Sequence, residues 1–133
     1  MDTIATKKTF KEIMVIDDDP INNLIASKYL QKAGLSSNIF DNPMFALAYL
    51  RDEKTVKPDL ILLDINMPQM TGFEFLKEME NENLFFDVII LTSSINLEDK
   101  NHSQKFKSVI DFWVKPLSFS KVTELNALTP YNH

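Results

Sequence analysis

The chain has 133 residues, 25% of them charged and 44% apolar, the balance of one soluble globular domain rather than a disordered chain. Fourteen Lys and Arg against nineteen Asp and Glu leave a net charge of −5, so general charge gives no basis for binding a nucleic-acid backbone or an anionic membrane. With no cysteine, disulfide frameworks, thiol nucleophiles and zinc–thiolate centres are excluded. No apolar run approaches the ~18 residues of a membrane span, and Met1 to Glu12 lacks the apolar core of a secretory signal. The expected location is cytoplasmic, and the expected partners include neither nucleic acid nor membrane.

Apolar runs and amphipathic stretches alternate along the chain. Ile13-Met14-Val15-Ile16 reads as a strand that stops at three acids. Asp19-Pro20 then reads as an N-cap followed by proline in the first helical turn. Ile21, Leu24, Ile25, Tyr29 and Leu30 keep helical spacing up to Gly34, a C-terminal stop. Ser37 to Phe40 is a weak second strand. Asp41-Asn42-Pro43 opens a helix carrying Phe45, Ala46, Tyr49 and Leu50. Leu60-Ile61-Leu62-Leu63 is apolar at every position, as suits a strand covered on both faces, and ends at Asp64.

After the loop from Asn66 to Gly72, Phe73, Leu76 and Met79 mark a third helix. Val88-Ile89-Ile90-Leu91 is a second continuous run, ending at Thr92. Leu97 to Lys107 reads as a helix with only Leu97 and Phe106 to bury. Phe112-Trp113-Val114 is the last strand, ending at Lys115-Pro116 with Trp113 partly exposed. Ser118 or Ser120 caps a short final helix carrying Val122, Leu125 and Leu128. Five strands alternating with about five helices predict one doubly wound α/β domain around a parallel sheet, with right-handed crossovers placing helices on both faces. Residues 1–10 and 129–133 read as tails.

In an open parallel sheet all strands point their C-terminal ends at one rim, where ligands bind. The residues closing the strands here are Asp17-Asp18, Asp64, Thr92 and Lys115. Two carboxylates ~4 Å apart repel by ~4 kcal/mol at an effective dielectric of ~20. Three clustered acids therefore splay apart, take up protons or bind a cation. A hard, oxygen-seeking ion fits such a rim, Mg²⁺ best, with Mn²⁺ as a substitute. His102 and His133 read as solvated surface groups, which leaves no soft-metal site. A metal among carboxylates, facing a hydroxyl and an ammonium, suits the handling of phosphate. Asp64, ending a central strand, is the best-placed nucleophile for an aspartyl phosphate.

Met14-Val15-Ile16-Asp17-Asp18-Asp19-Pro20, Pro58 to Pro68, Val88 to Ser93 and Phe112-Trp113-Val114-Lys115-Pro116 together resemble the receiver domain of two-component response regulators. The resemblance spans about residues 11 to 128 and agrees in motif order and spacing. It implies a five-stranded flavodoxin-like fold with strand order 2-1-3-4-5. It implies Asp64 as phosphoacceptor, Asp17 and Asp18 as Mg²⁺ ligands together with Asp64, and the backbone carbonyl of Asn66 as a further ligand. Thr92 and Lys115 would contact the phosphoryl group, and Thr92 with Phe112 would form the switch. Met67-Pro68 and Gly72 match the loop after the acceptor strand.

The implied partners are a sensor histidine kinase or histidine phosphotransfer protein. A homodimer or target protein would meet the face made by the Leu97–Lys107 helix, the last strand and the last helix. The chain would then be a stand-alone phosphoacceptor that assists its own phosphorylation and dephosphorylation rather than an enzyme. Ser108-Val109 replaces the usual Gly-Ala, Asp87 stands in place of a common proline, and Phe112 lacks a tyrosine hydroxyl. Two other readings keep the same acids: a receiver-like adaptor that is never phosphorylated, and a haloacid-dehalogenase-like phosphatase with Asp17 as nucleophile and Asp19 as acid.

Overall fold

The computed structural model describes residues 7–8, 10–94, 96–126 and 129–130. Five strands form one parallel sheet: β1 (Glu12–Ile16), β2 (Ser36–Phe40), β3 (Leu60–Asp64), β4 (Asp87–Thr92) and β5 (Val109–Val114). Their order is 2-1-3-4-5, as expected. Five helices connect or follow them: α1 (Pro20–Lys32), α2 (Pro43–Arg51), α3 (Gly72–Asn81), α4 (Leu97–Ser103) and α5 (Phe119–Asn126).

The period-two alternation of strand side chains divides the interior into two cores. Ile13, Val15, Leu60, Leu62, Ile89, Leu91 and Trp113 point to one face, where Ala26 and Leu30 of α1 and Val122 and Leu125 of α5 cover them. Met14, Ile16, Ile61, Leu63, Val88 and Ile90 point to the other, covered by α2 and α3. Continuous apolar strands are therefore required at β1, β3 and β4. The edge strand β2 begins with Ser36, Ser37 and Asn38, all exposed, polar protection of the kind that keeps an edge from pairing further.

Local signals fix the helix ends. The Asp19 carboxylate accepts from the backbone N–H groups of Ile21 and Asn22, and Pro20 sits in the first turn. At the other end Gly34 adopts φ +80°, and the Leu35 and Gly34 amides donate to the Leu30 and Gln31 carbonyls, closing the helix as a left-handed glycine cap. Asn42 and Asn96 cap α2 and α4, while Thr71 and Glu74 form a reciprocal capping box on α3. Ser118 Oγ accepts from the Lys121 amide, which selects it over Ser120 as the cap of α5.

Several expectations need correction. Leu30 is buried as expected, but Ile21 and Leu24 are exposed, and α1 buries Asn23 and Ala26 in their place. Phe45 of α2 is likewise exposed, with Ala46, Leu47 and Leu50 taking the core face. The helix expected to run to Lys107 stops at Ser103, and Leu97 is exposed rather than an anchor. Trp113 is buried, its indole N–H donating to Asp111 Oδ2 at 3.0 Å. The segments read as tails meet each other: Lys7–Lys8 pairs antiparallel with Thr129–Pro130. Leu128 and His133 lie outside the described residues.

Candidate functional site

Strand order reverses between β1 and β3, the place where a doubly wound sheet opens a crevice at its carboxyl ends. Ile16 pairs with Leu63, so Asp17 and Asp64 leave the sheet side by side. Thr92 pairs with Val114, and the Lys115 amide donates to the Thr92 carbonyl at 2.6 Å, which brings the lysine back over the crevice. Asp17, Asp18 and Asp64 each offer a carboxylate oxygen, and these oxygens lie within 4.8 Å of one another. Lys115 Nζ sits 3.1 Å from Asp17 Oδ2 and 3.2 Å from Asp64 Oδ1. The Lys115-Pro116 peptide bond is cis.

The electrostatics follow from burial. Asp17 and Asp64 are buried and Asp18 half-buried. Burial, reinforced by the nearby Asp17 charge, pushes the Asp64 carboxyl up to about 6, although Lys115 and the Asn66 amide pull it down. Burial pulls Lys115 down, but Asp17 and Asp64 outweigh it and hold the ammonium above its ordinary value. One fixed positive charge thus faces three acids. The cleft beside them has a volume of about 630 Å³ and is lined in part by Asp18, Asn22, Asp64, Asn66 and Lys115.

This donor set fits a hard divalent ion. Its side-chain ligands are all carboxylate oxygens, close enough to share one cation. Asn66 follows β3 with its backbone nitrogen 3.3 Å from Asp64 Oδ1, which keeps its backbone beside the cluster. His102 is elsewhere, its ring stacked on Phe73 of α3 with centroids 4.1 Å apart.

The remaining sequence candidates stand around this centre. Thr92 is buried at the end of β4, but its hydroxyl donates to the Ser94 carbonyl at 3.0 Å. Phe112 is half-buried and packs against the α3-side core, on β5, two strands from the one that ends in Asp64. Asp19, the third acid of the run, is occupied as the cap of α1 and also accepts from Asn22 Nδ2 at 3.1 Å.

Two residues matter more here than their sequence signals suggest. Asn23 Nδ2 donates to the Asp17 carbonyl at 2.7 Å, tying α1 to the acidic turn; a polar residue at a buried helical phase was its only signal. Gly72 opens α3 directly against the end of β3. A Cβ there would lie 2.7 Å from the Asp64 carbonyl oxygen and 3.0 Å from Ile65 Cα, so no side chain fits without moving the backbone that carries Asp64.

A doubly wound 2-1-3-4-5 sheet with an acidic trio and a lysine at its switch point defines a class of signalling domain. The family model described as response regulator receiver domain matches residues 13–126, and the chain belongs to that family. Transcriptional regulatory protein ZraR of Klebsiella oxytoca is 32% identical over 111 residues, covering 84% of this chain and 24% of ZraR. Two-component response regulator ARR6 of Arabidopsis thaliana is 29% identical over 122 residues, covering 85% and 66%.

Among solved structures, the Mn²⁺-bound form of response regulator Rcp1 superposes with a TM-score of 0.76 at 26% identity, covering 90% of this chain and 98% of Rcp1. The chemotaxis response regulator CheY4 of Vibrio cholerae gives 0.73 at 28% identity, covering 87% and 95%. The chain spans between 22% and 66% of the length of ZraR, ARR6 and the similar curated relatives.

Proposed function

We propose that this chain is a phosphorylatable receiver. Asp64 accepts a phosphoryl group, with Mg²⁺ bound, from a sensor histidine kinase or histidine phosphotransfer protein in the cytoplasm, and the modified domain presents an altered surface to its partner. The observation that carries this reading is the buried Asp64 carboxylate held 3.2 Å from Lys115 Nζ within reach of Asp17 and Asp18.

Asp17, Asp18, Asp64 and the Asn66 carbonyl would hold the ion, which when bound neutralises the acids and the incoming phosphoryl oxygens. The Mn²⁺-bound form of the similar Rcp1 supports such a site. The Asp64 oxygen bonds to phosphorus as the donor's P–N bond breaks, and the donor imidazole keeps the electron pair and takes up a proton. Lys115 then pairs with a phosphoryl oxygen in place of its present partners.

Thr92 ends β4 at this rim, and to reach a phosphoryl oxygen its hydroxyl must leave the Ser94 carbonyl. That movement rearranges the β4–α4 loop and frees space beside Phe112, whose ring has no hydroxyl to desolvate on turning inward. α4, β5 and α5 form the surface that reads the change. The occupation of Asp19 in capping α1 counts against a phosphatase that uses it as the acid.

Intact mass after incubation with acetyl phosphate tests the chemistry. The expected result is one added phosphoryl group with Mg²⁺, none without it, and none in Asp64→Asn. Labelling of Asp64→Asn but not of Asp17→Asn would overturn the assignment in favour of the phosphatase. Amide exchange with and without beryllofluoride tests the switch, with altered protection expected across residues 92–115. Changes confined to other regions would overturn it.

A further inference from the structure

The strand starts make the edge of the sheet opposite the acidic rim. A hollow of about 470 Å³ opens there. Pro58 and Asp59 line it before β3, Phe85, Phe86 and Asp87 before and at the start of β4, and Lys107 and Ser108 before β5. Phe85 is 69% exposed, and Val56, two residues before Pro58, is 67% exposed. Phe86 is half-buried against the α3-side core. The Asp59 carboxylate is anchored, its Oδ2 accepting from the Lys11 and Glu12 amides at 2.8 and 2.9 Å. The Val88 amide donates to the Ser108 carbonyl at 2.8 Å, which sets Asp87 and Lys107 on neighbouring segments. Asp87 and Ser108 are also two positions at which this chain departs from the receiver pattern, and the phosphoryl chemistry uses neither. A lone exposed phenylalanine means little. This one stands at a hollow whose lining carries charges of both signs.

We propose that two copies of the chain pair about a twofold axis at this hollow, each Phe85 ring entering the other copy's hollow and each Lys107 facing the other copy's Asp87. A twofold contact requires a patch that complements itself. Lining of one charge sign would repel its own copy and call for a foreign partner. Here the same patch supplies an exposed ring, a hollow edged by Pro58 and Phe86 to receive it, an exposed lysine and two acids. The anchored Asp59 adds fixed negative charge beside Asp87 for the incoming lysine. Seven lining residues a side are fewer than the roughly 20–30 of a standard interface, so the dimer is weak. It lies at the opposite end of the strands from Asp17 and Asp64, and pairing there does not depend on phosphorylation.

The test is sedimentation equilibrium of the full chain from about 0.05 to 2 mM, with amide NMR over the same range; a dissociation constant on the order of 0.1–1 mM is expected. Concentration-dependent amide shifts should fall at residues 56–59, 84–88 and 106–109, with and without beryllofluoride. Phe85→Ser should weaken pairing at least about tenfold and leave the urea midpoint where it is. Asp87→Lys and Lys107→Asp should each abolish self-pairing, because like charges then meet twice in every dimer. Their equimolar mixture should pair as the wild type does, since each variant supplies the charge the other now needs. Should Asp87→Lys fail to fold, Lys107→Asp and Phe85→Ser, both at exposed positions, still decide.

A wild type that stays monomeric throughout the range would overturn the proposal and leave the hollow to a partner of another kind. Undiminished pairing in Phe85→Ser or in Lys107→Asp, species larger than a dimer, or a mixture of the two folded charge variants that stays monomeric would each overturn it as well. So would pairing that requires beryllofluoride, or shifts confined to α4 and α5, either of which moves the dimer to the surface that reads phosphorylation. Failure of acetyl phosphate to label Asp64 would leave this contact untouched and bear only on the receiver reading.

Discussion

The centre and the edge of the sheet are built on opposite terms. In β3, Leu60, Ile61, Leu62 and Leu63 are all fully buried; α3 covers Ile61 and Leu63 with Phe75, Leu76 and Met79, while α1 and α5 cover Leu60 and Leu62. In β5, Ile110 and Val114 are exposed, a bulge between Val109 and Asp111 leaves Ile110 unpaired with β4, and α4 buries only Ser103. The candidate site draws on both regions. Asp17 and Asp64 leave fully packed strands, so their carboxylates are held in place by two cores. Lys115 joins them from the β5 side, where β5 and α4 bury few side chains. Packing is thus dense beneath the acids and sparse at the β5 edge.

The largest expected effect tests the packing side of this contrast. Leu63→Ala empties a site between β3 and its covering helices and should cost about 2–5 kcal/mol in urea denaturation. Ile110→Ala at the edge should change stability by no more than about 0.5 kcal/mol. Similar costs for the two would erase the distinction between centre and edge.

Gly72→Ala should come next. Its Cβ would lie 2.7 Å from the Asp64 carbonyl oxygen, backbone that cannot swing aside as a flexible side chain would. A loss of about 1–3 kcal/mol is expected, together with slower labelling by acetyl phosphate because the end of β3 that carries Asp64 must shift. Alanine is otherwise favoured in a helix, so unchanged stability would mean that the α3 start does not hold Asp64 in place.

The charge at the centre has its own sign. The Asp64 carboxyl is raised from 3.8 to about 6, first by burial and then by Asp17, so folding favours its protonated form. Its contribution to stability is complete below pH 3.8 and is lost as pH rises through about 6. Without Mg²⁺, Asp64→Asn should therefore raise stability at pH 7 by on the order of 1–2 kcal/mol. The gain should shrink toward pH 4, and Mg²⁺ should stabilise the wild type more than the variant. Urea midpoints at the two pH values, with and without the ion, give the check. A destabilised variant at pH 7 would show that pairing with Lys115 outweighs burial.

The acidic rim was legible because parallel topology alone decides where strand ends arrive: any apolar run ending in Asp, Thr or Lys delivers that residue to the same edge. Helix faces were less legible. In α1 the apolar spacing of Ile21, Leu24 and Ile25 suggests one buried stripe, yet the buried face follows Asn23, Ala26 and Leu30. Ala26, Leu30 and Ala33 carry that face at helical spacing, but two of them are small and read less strongly than the larger Ile21, Leu24 and Ile25. Asn23 joins the face through its bond to the Asp17 carbonyl. Trp113 was misjudged for a similar reason. Its neighbour Lys115 implies an exposed strand end, but the pleat sends the indole to the α5 side, where Asp111 satisfies its N–H.

The smallest expected effect is at Leu97, which the sequence nominates with Phe106 as an anchor of α4. Leu97 is 70% exposed. The helix is held instead by Asn96 capping the Asp99 amide, by Ser103 Oγ donating to the Lys100 carbonyl, and by His102 stacked on Phe73. None of these contacts involves the leucine side chain. Leu97→Ser should therefore leave the urea midpoint nearly unchanged, within about 0.5 kcal/mol, and leave labelling of Asp64 by acetyl phosphate intact. It should still weaken any partner that docks on α4, because an exposed leucine is free to join an interface. A loss above about 1 kcal/mol in the isolated chain would show that α4 is packed through Leu97 after all, and the edge of the sheet would then be as firmly built as its centre.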